Sequence, residues 1–318
     1  MTTTTNSDRR PQLIVIAGPT ASGKTSTAIA LAHRLGGAPI VSADSRQIYR
    51  GLAIGTAQPS ADELAAAEHH FIASHDIHEA FSCGQYEVQA LELLGRLFAT
   101  HRRVIAVGGS GLYIKALCDG MDDLPQTDPA LRDSLSRRMA DQGIASLADE
   151  LRRLDPDYYA EVDLNNPARV QRALEVCLQT GQPYSRLRSG IRRQRPFDIV
   201  MAGIDLPRDE LYARIDSRVD RMMADGLEAE ARSVYRWRGL NSLQTVGYKE
   251  LFAWFDGACT RDEAVEAIKR NTRRYAKRQL TWFRRDERIR WFRPDQIDML
   301  VDYVDPPAGT HSSAATDR

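Results

Sequence analysis

Short apolar runs, each followed by sequence with helical spacing, dominate the pattern of this chain. Residues 13–17 are β-branched and of the right length for a buried strand, and residues 39–42 and 103–107 repeat the pattern. Residues 199–204 offer a fourth strand, and residues 289–292 a terminal one. Strands that alternate with helices pair in parallel. The pattern therefore predicts an α/β fold with a parallel sheet flanked by helices.

A different pattern occupies residues 122–195, which contain no clear strand and carry Leu, Arg, Asp and Ala at helical spacing. We interpret this stretch as an inserted all-helical domain that divides the core into residues 12–121 and 196–305. The polar ends, residues 1–11 and 306–318, are expected to be disordered. The insert ends in arginines with no acid among them: Arg186, Arg188, Arg192, Arg193 and Arg195.

Composition narrows the class of protein. The 318 residues suit about two average domains. The formal net charge is zero, so binding to nucleic acid would need local clustering of charge. The four cysteines form no CxxC pair, which favours a reduced, cytoplasmic compartment and gives little support to a zinc site. No apolar run approaches the roughly 18 residues that span a membrane, so we expect no membrane association.

A phosphate-binding motif follows the first predicted strand. Residues 18–25, GPTASGKT, match GxxxxGK[ST] between a strand and a helix, which is the context that gives the motif meaning. Backbone N–H groups and the helix N-terminus would hold phosphate oxygens, Lys24 would contribute a mobile charge, and the Thr25 hydroxyl would bind Mg²⁺. The alternative is a glycine-rich turn with no ligand. The predicted donor-binding residues are Gly18, Thr20, Ala21, Ser22, Gly23, Lys24 and Thr25.

The motif indicates a polyphosphate rather than ATP in particular. The strand at residues 103–107 is not followed by the Asp that typical P-loop NTPases use near Mg²⁺, so a diphosphate of another compound stays open. Asp44 follows the second predicted strand, at the sheet edge where parallel α/β proteins bind ligands. It is a candidate general base or metal ligand, and the alternative is a helix cap.

Eight motifs along residues 12–293 together resemble the tRNA dimethylallyltransferase family. Each would be weak alone, but all eight occur in the family's order. They are GPTASGKT, SADSRQIYRGLAIGTAQP, AVGGSGLYIKAL, NPARVQRALEV, TGQPYS, DELYARIDSRVDRMMADGL, TVGYKE and TRRYAKRQLTWFRR.

The resemblance implies a P-loop-type core that binds dimethylallyl diphosphate and an insert that clamps the anticodon stem-loop of tRNA. It implies transfer of the dimethylallyl group to N6 of the adenine beside the anticodon (position 37), in tRNAs that read codons starting with U, with release of diphosphate. The adenine would have to leave its stack and enter a channel between core and insert. We expect Mg²⁺ as the cofactor and a monomer as the working unit.

The same resemblance assigns roles to individual residues. Asp44 aligns with the proposed general base, and Arg218 with an arginine tied to the diphosphate and to catalysis; Lys24 completes the catalytic set. Ser45 and Gln47 are expected to help hold the edge of the adenine. The residues implied to contact tRNA are Asp44, Ser45, Arg46, Gln47, Ser110, Arg132, Gln171, Arg172, Ala173, Leu174, Glu175, Gln244, Thr245, Val246, Gly247, Tyr248, Lys249, Lys277, Arg278, Gln279, Leu280, Thr281, Trp282, Phe283 and Arg284.

This chain departs from the family pattern at two positions. Ser110 stands where the family usually has Thr, which keeps the hydroxyl. Gln58 stands where it usually has Lys, which removes a positive charge, and we predict no role for Gln58. A group of four histidines, His69, His70, His75 and His78, lies close in sequence but lacks zinc-like spacing, so metal binding there is the weaker alternative.

The basic C-terminal segment supports an RNA partner independently. Residues 269–293 contain eleven Lys or Arg and two acids, an excess of nine positive charges that suits a phosphate backbone. Arg270, Arg274 and Arg278 recur every four residues and are the better phosphate candidates. A second stripe, Ile268, Tyr275 and Trp282, is interpreted as core rather than as a base-stacking surface.

Two other functions remain open from the residues alone. A phosphotransferase would use the same loop to bind ATP and phosphorylate a small molecule, but would leave the basic segment and the insert without a purpose. A non-catalytic, GTPase-like RNA-binding module would need an [NT]KxD guanine motif, which does not follow the P-loop strands. A binding panel of dimethylallyl diphosphate, ATP and GTP separates the three.

Overall fold

The computed structural model describes residues 10–306. Most of the predicted N-terminal lead and C-terminal tail lies outside these residues. The described residues divide into two compact units, one formed by residues 10–118 with 194–306 and the other by Asp119–Arg193. The sequence-based division placed the second unit at residues 122–195.

The first unit is built on six strands, which pair in the order β3-β2-β4-β1-β5-β6 with every pairing parallel. The predicted α/β class with a parallel sheet is thus confirmed. Five strands match predicted runs, and β3 was missed because it consists of two histidines. The strands are β1 (Gln12–Ala17), β2 (Ile40–Ser42), β3 (His69–His70), β4 (Arg103–Gly108), β5 (Asp198–Ile204) and β6 (Arg290–Phe292).

Thirteen α-helices are found within residues 10–306, with short 3₁₀ turns at Tyr235–Trp237 and Asn241–Leu243. They are α1 (Lys24–Arg34), α2 (Ala61–Ala66), α3 (Cys83–Leu97), α4 (Gly111–Asp119), α5 (Pro129–Leu154), α6 (Pro156–Glu161), α7 (Pro167–Thr180), α8 (Tyr184–Leu187), α9 (Arg208–Ala224), α10 (Leu227–Val234), α11 (Tyr248–Phe255), α12 (Arg261–Phe283) and α13 (Ile297–Val304). None of the helices in the described part of the chain is long and apolar enough to cross a membrane.

The central strand β1 is buried on both faces, as expected of a parallel strand. Leu13 and Val15 belong to an apolar cluster that includes side chains of α3 and α4, whereas Ile14 and Ile16 belong to one that includes side chains of α1 and α13. Successive strand residues point to opposite faces, which explains this alternation. A third apolar cluster contains side chains of α9, α10, α11 and α12.

The second unit is helical, with a core of its own between α5, α6 and α7. Its helices begin at strong caps: the side chains of Asp128, Asp155 and Asn166 each accept a backbone N–H bond, and proline follows each of them. The fully buried Asp155 also accepts hydrogen bonds from the backbone and hydroxyl of Ser185, which joins the start of α6 to α8. The capping pattern explains where α5, α6 and α7 begin.

Candidate active site

The phosphate loop connects β1 to α1 and has the backbone that its motif requires. Gly18 has φ of 149°, and a Cβ there would lie 2.4 Å from the Ile204 carbonyl oxygen, so no other residue fits without a shift. Ala21 and Gly23 also have positive φ angles, of 64° and 95°. Helix α1 then begins at Lys24, which places the positive end of its dipole at the loop.

Two cations lie together at this loop. Burial and the neighbouring Arg218 guanidinium lower the pKa of Lys24 to about 7, while Asp44 opposes the shift. Burial and then the nearby Arg221 lower the pKa of Arg218. The Lys24 ammonium donates to the Pro19 carbonyl at 2.5 Å, and Arg218 Nη1 lies 3.4 Å from the Thr20 hydroxyl. Concentrated positive charge of this kind favours an anionic ligand.

Asp44 follows β2, and its carboxylate makes local contacts. Oδ1 accepts the backbone N–H groups of Arg46 at 2.9 Å and Gln47 at 3.4 Å, so Asp44 does cap the next turn, although that turn is not a helix. The side chain also lines the same cavity as Lys24 and Arg218. Capping and a role in chemistry are therefore compatible at this residue.

Ser110 holds the Asp44 turn in place. Its hydroxyl accepts the Ser45 backbone N–H at 2.9 Å and donates to the Ser45 hydroxyl at 3.1 Å. The Gln47 amide donates to the Ala57 carbonyl at 2.7 Å. In this structure Ser45 and Gln47 thus serve the loop itself, and their predicted contact with adenine stays a prediction.

Gln58, for which no role was predicted, stabilises the segment that follows the Asp44 turn. Its Nε2 donates to the carbonyls of Gln47 at 2.9 Å and Tyr49 at 2.8 Å. No pattern in the sequence indicated this contact.

A cavity of about 590 Å³ lies within the first unit and joins these groups. Its polar wall comes from the phosphate loop, the acids Asp44, Glu63 and Asp225, and α9, where Arg221 lies one turn beyond Arg218. Its apolar wall comes from Ala53, Ile54 and Met222. Among the lining residues are Thr20, Ala21, Gly23, Lys24, Thr25, Asp44, Gln47, Ala53, Ile54, Gln58, Arg218, Arg221, Met222 and Gln279.

The protein oxygens at this cavity could hold Mg²⁺ only together with oxygen atoms of a bound phosphate ligand and of water. Within residues 10–306, no group of three or more His, Cys, Asp or Glu side chains could hold a metal ion. The Thr25 hydroxyl and the Asp44 carboxylate line one cavity, and the buried Ser22 hydroxyl has no hydrogen-bond partner among the described residues. Mg²⁺ is commonly held by one or two protein oxygens with substrate phosphates and water, and this set matches that pattern.

Comparison with known proteins identifies the family. Residues 47–286 match the IPP transferase family. The chain is 48% identical over 293 residues to the tRNA dimethylallyltransferase of Cytophaga hutchinsonii, covering 92% of this chain and 96% of that one. It is 50% identical over 283 residues to tRNA dimethylallyltransferase 2 of Porphyromonas gingivalis, covering 89% and 94%.

The chain belongs to the IPP transferase family. Its fold is similar to the crystal structure of a tRNA isopentenylpyrophosphate transferase from Bacillus halodurans, with a TM-score of 0.68, 38% identity, and coverage of 93% of this chain and 96% of that chain. It is also similar to a eukaryotic dimethylallyltransferase captured acting on tRNA, with a TM-score of 0.72, 25% identity, and coverage of 86% and 69%.

In this IPP transferase, several residues predicted to contact tRNA are enclosed in the protein. These residues are buried in this structure, and their contact with tRNA stays a prediction. The fully buried Tyr248 donates to Glu230 at 2.6 Å, and Glu175, also fully buried, accepts from Arg132 at 2.8 Å. The enclosed residues are Gln171, Ala173, Leu174, Glu175, Gly247, Tyr248, Gln279 and Phe283, with Leu280 partly buried.

The remaining predicted tRNA residues keep at least part of the side chain at the surface, although some are engaged within the protein. Arg46 donates to the Asn241 carbonyl at 2.7 Å, and Arg172 to the Thr127 hydroxyl at 2.8 Å. Arg284 pairs with Asp205 at 2.7 Å. The others are Asp44, Ser45, Gln47, Ser110, Arg132, Gln244, Thr245, Val246, Lys249, Lys277, Arg278, Thr281 and Trp282.

The basic side chains of α12 lie on two different faces of the helix. Lys269 and Arg273 pair with Asp220 and Asp216 of α9, at 2.7 and 2.5 Å. The predicted phosphate-binding residues Arg270, Arg274 and Arg278 are exposed and form no salt bridge with other described residues. This basic face, defined by Arg270, Arg274 and Arg278, is available to an external anion.

The second stripe of α12 is only partly core. Ile268 is buried and Tyr275 is half-buried, but Trp282 is 36% exposed, so its assignment to the core is wrong. The indole packs against Gly111, where a Cβ would come within 2.2 Å of Trp282 Nε1. Glycine at position 111 thus makes room for an aromatic side chain that remains open to solvent.

Proposed function

We propose that this chain transfers the dimethylallyl group of dimethylallyl diphosphate to N6 of the adenine beside the anticodon of tRNA, at position 37. The observation that carries the proposal is one cavity lined by the phosphate loop with Lys24, by Arg218 and by Asp44, in a member of the IPP transferase family. The tRNAs that read codons starting with U are its proposed acceptors.

The donor end of the cavity is suited to a departing diphosphate. In the reaction the bond between the allylic carbon and the diphosphate oxygen breaks, and the electron pair leaves with diphosphate. Lys24, Arg218 and the N-terminus of α1 supply positive charge at fixed positions, which stabilises the charge that develops. Mg²⁺ held by Thr25 and phosphate oxygens would add further positive charge at this point.

The acceptor end needs a group that takes a proton. The adenine N6 forms a bond to the allylic carbon and loses one hydrogen as a proton. Three acids line the cavity, Asp44, Glu63 and Asp225. Of these, Asp44 directly follows β2 at the sheet edge, and its Oδ1 is already oriented by two backbone N–H groups. We assign it the role of general base, which accepts that proton.

The apolar wall of the cavity suits the isoprenoid part of the donor. Ala53, Ile54 and Met222 offer no charge to a hydrocarbon chain. The backbone of Ile54 is fixed, because its N–H and that of Gly55 both donate to the Glu230 carboxylate at 2.8 Å. An apolar lining of this kind suits the hydrocarbon part of the donor.

The test is a reaction with purified protein, an unmodified tRNA anticodon stem-loop and a panel of donors, followed by mass spectrometry of the nucleosides. We expect an adenosine with one added dimethylallyl group, from dimethylallyl diphosphate only, and none when adenine 37 is replaced. Binding and turnover of ATP with no tRNA product would favour a phosphotransferase instead. We also propose a cytoplasmic monomer, which cell fractionation and light scattering would test.

A further inference from the structure

Gln279 is a buried polar side chain on α12 that reaches the phosphate loop. Only 6% of the residue is exposed, and it lines the cavity. Its Oε1 accepts the Thr20 backbone N–H at 2.8 Å, and its Nε2 donates to the Gly109 carbonyl at 2.9 Å. A backbone N–H can only donate and a carbonyl can only accept, so the two partners fix which way the amide points.

The two partners of Gln279 belong to different parts of the site. Thr20 lies in the loop that would hold diphosphate. Gly109 precedes Ser110, whose hydroxyl holds the turn that carries Asp44. The fit at Gly109 is tight, since a Cβ there would come within 2.2 Å of Gln279 Nε2. One side chain therefore ties the donor loop to the segment that supports the general base.

Gln279 also connects both loops to the proposed RNA-binding helix. It lies on α12, one residue beyond Arg278 of the basic face, but points to the protein interior while Arg278 is exposed. Without this amide, the Thr20 N–H and the Gly109 carbonyl would each lose a partner in a largely enclosed region. Unpaired buried groups are costly, so the loop would adopt other conformations.

We propose that Gln279 is a positioning residue that holds the phosphate loop in its diphosphate-binding conformation and joins it to α12, rather than a residue that contacts tRNA. This inference rests on the proposed function, in which the loop binds the donor diphosphate. The two hydrogen bonds of Gln279 would then contribute to donor binding, whereas the basic face of the same helix would bind the RNA.

Two variants separate the bonds from the shape of the side chain. Gln279→Met has a similar length but makes neither bond. We expect it to weaken binding of inorganic pyrophosphate, and to raise the KM for dimethylallyl diphosphate, by roughly 10- to 100-fold. Affinity for the tRNA stem-loop is expected to stay within about 2-fold, because the basic face is untouched. Asn271→Ala is the matched control: it removes another long-range side-chain bond of α12, to Glu250 at 2.8 Å, and leaves pyrophosphate affinity unchanged.

Gln279→Glu supplies a signature in pH. A protonated carboxyl group has one donor and one acceptor and can replace both amide bonds, whereas the ionised form cannot donate to Gly109. The deficit in pyrophosphate affinity relative to wild type is therefore expected to shrink as the pH falls from 8 to 5.5. This variant keeps the shape of glutamine and carries the test if the methionine variant does not fold.

Calorimetry with pyrophosphate, fluorescence anisotropy with a labelled stem-loop and thermal melting of each variant complete the experiment. Wild-type pyrophosphate affinity in Gln279→Met would overturn the inference, and so would a loss of tRNA affinity in place of pyrophosphate affinity. Failure of the wild-type protein to bind pyrophosphate or the donor would instead overturn the proposed function, so the two failures are distinguishable.

Discussion

The lowered pKa of Lys24 predicts that donor binding is coupled to proton uptake. With a pKa of about 7, roughly half of the Lys24 side chains are neutral at pH 7 in the free protein, and about nine in ten are neutral at pH 8. A bound diphosphate favours the charged amine, because opposite charge raises the pKa of an ammonium. At pH 8 each binding event should therefore take up close to one proton, about 0.9.

The expected change in affinity follows from the same shift. The donor's last phosphate ionisation lies near pH 6, so above about pH 7.5 its own charge is nearly constant. Between pH 8 and 9, the dissociation constant should then rise about tenfold, since the charged fraction of Lys24 falls tenfold. The matched control is Lys24→Arg, because a guanidinium stays charged throughout this range and its affinity should be almost independent of pH.

Calorimetry measures both quantities. Titrations of dimethylallyl diphosphate at pH 8, in two buffers with different enthalpies of ionisation, give the number of protons taken up. A series from pH 7 to 9 gives the slope of log affinity. Zero proton uptake in the wild type, or the same slope in Lys24→Arg as in the wild type, would refute the assignment of Lys24 as the titrating phosphate ligand.

Three further changes test the site and the interface. Asp44→Asn should lower the single-turnover rate by roughly 10²- to 10⁴-fold while affinities change little; a near-wild-type rate would leave only the capping role, and rescue by added Mg²⁺ would indicate a metal ligand. Replacing Arg274 and Arg278 with Ala should reduce the slope of log tRNA affinity against log salt by roughly one unit per lost phosphate contact, whereas Arg261→Ala on the same helix should not; equal slopes in all variants would contradict the basic face. Lys24→Met should stabilise the ligand-free protein at pH 6 by about 1 to 3 kcal/mol in denaturant unfolding. Between pH 7 and 10.5, Lys24 keeps its proton in the unfolded wild type but loses it in the folded protein, so the free energy of unfolding of the wild type rises with pH over that range. The stability difference between Lys24→Met and the wild type should therefore shrink as the pH rises; a difference independent of pH would count against burial of the charge.

The sheet was largely predictable because its strands are buried on both faces. Runs such as residues 13–17 are apolar throughout, and that is visible without a structure. Strand β3 was not predictable, because His69 and His70 are polar and become a strand only through pairing with Ile40 and Val41. Its existence depends on a tertiary contact rather than on local preference.

The candidate site was predictable in its loop and less so in its supports. The phosphate motif is contiguous, so Lys24 and Thr25 follow from local sequence, whereas Arg218 enters the same cavity from α9 and was found only through the family resemblance. Arg221, one turn along α9, could have been found by helical spacing. Gln58 and Gln279 act through backbone groups distant in sequence, which no local pattern indicates.

The predicted tRNA-contact segment on α7, residues 171–175, overlaps a buried face of that helix. Val170, Ala173, Leu174 and Cys177 recur at helical spacing and form the core of the second unit. That periodicity alone marks the face of α7 that carries Ala173 and Leu174 as interior, and their contact with tRNA stays a prediction. Arg172, on another face of the same helix, remains partly exposed and stays a candidate.

The pairing of β1 with β5 has a consequence for synthesis of the chain. β1 lies between β4 and β5 in the sheet, yet β5 is reached only after the whole helical unit has been made. The phosphate loop packs against the Ile204 carbonyl of β5, so the nascent loop lacks its support until that strand leaves the ribosome and joins the sheet. At about 5 to 20 residues per second, synthesis of the second unit (Asp119–Arg193) alone takes several seconds, and β1 waits at least that long for β5. Ribosome-bound chains that stop before β5 would therefore carry a complete phosphate-binding motif without the ability to retain diphosphate.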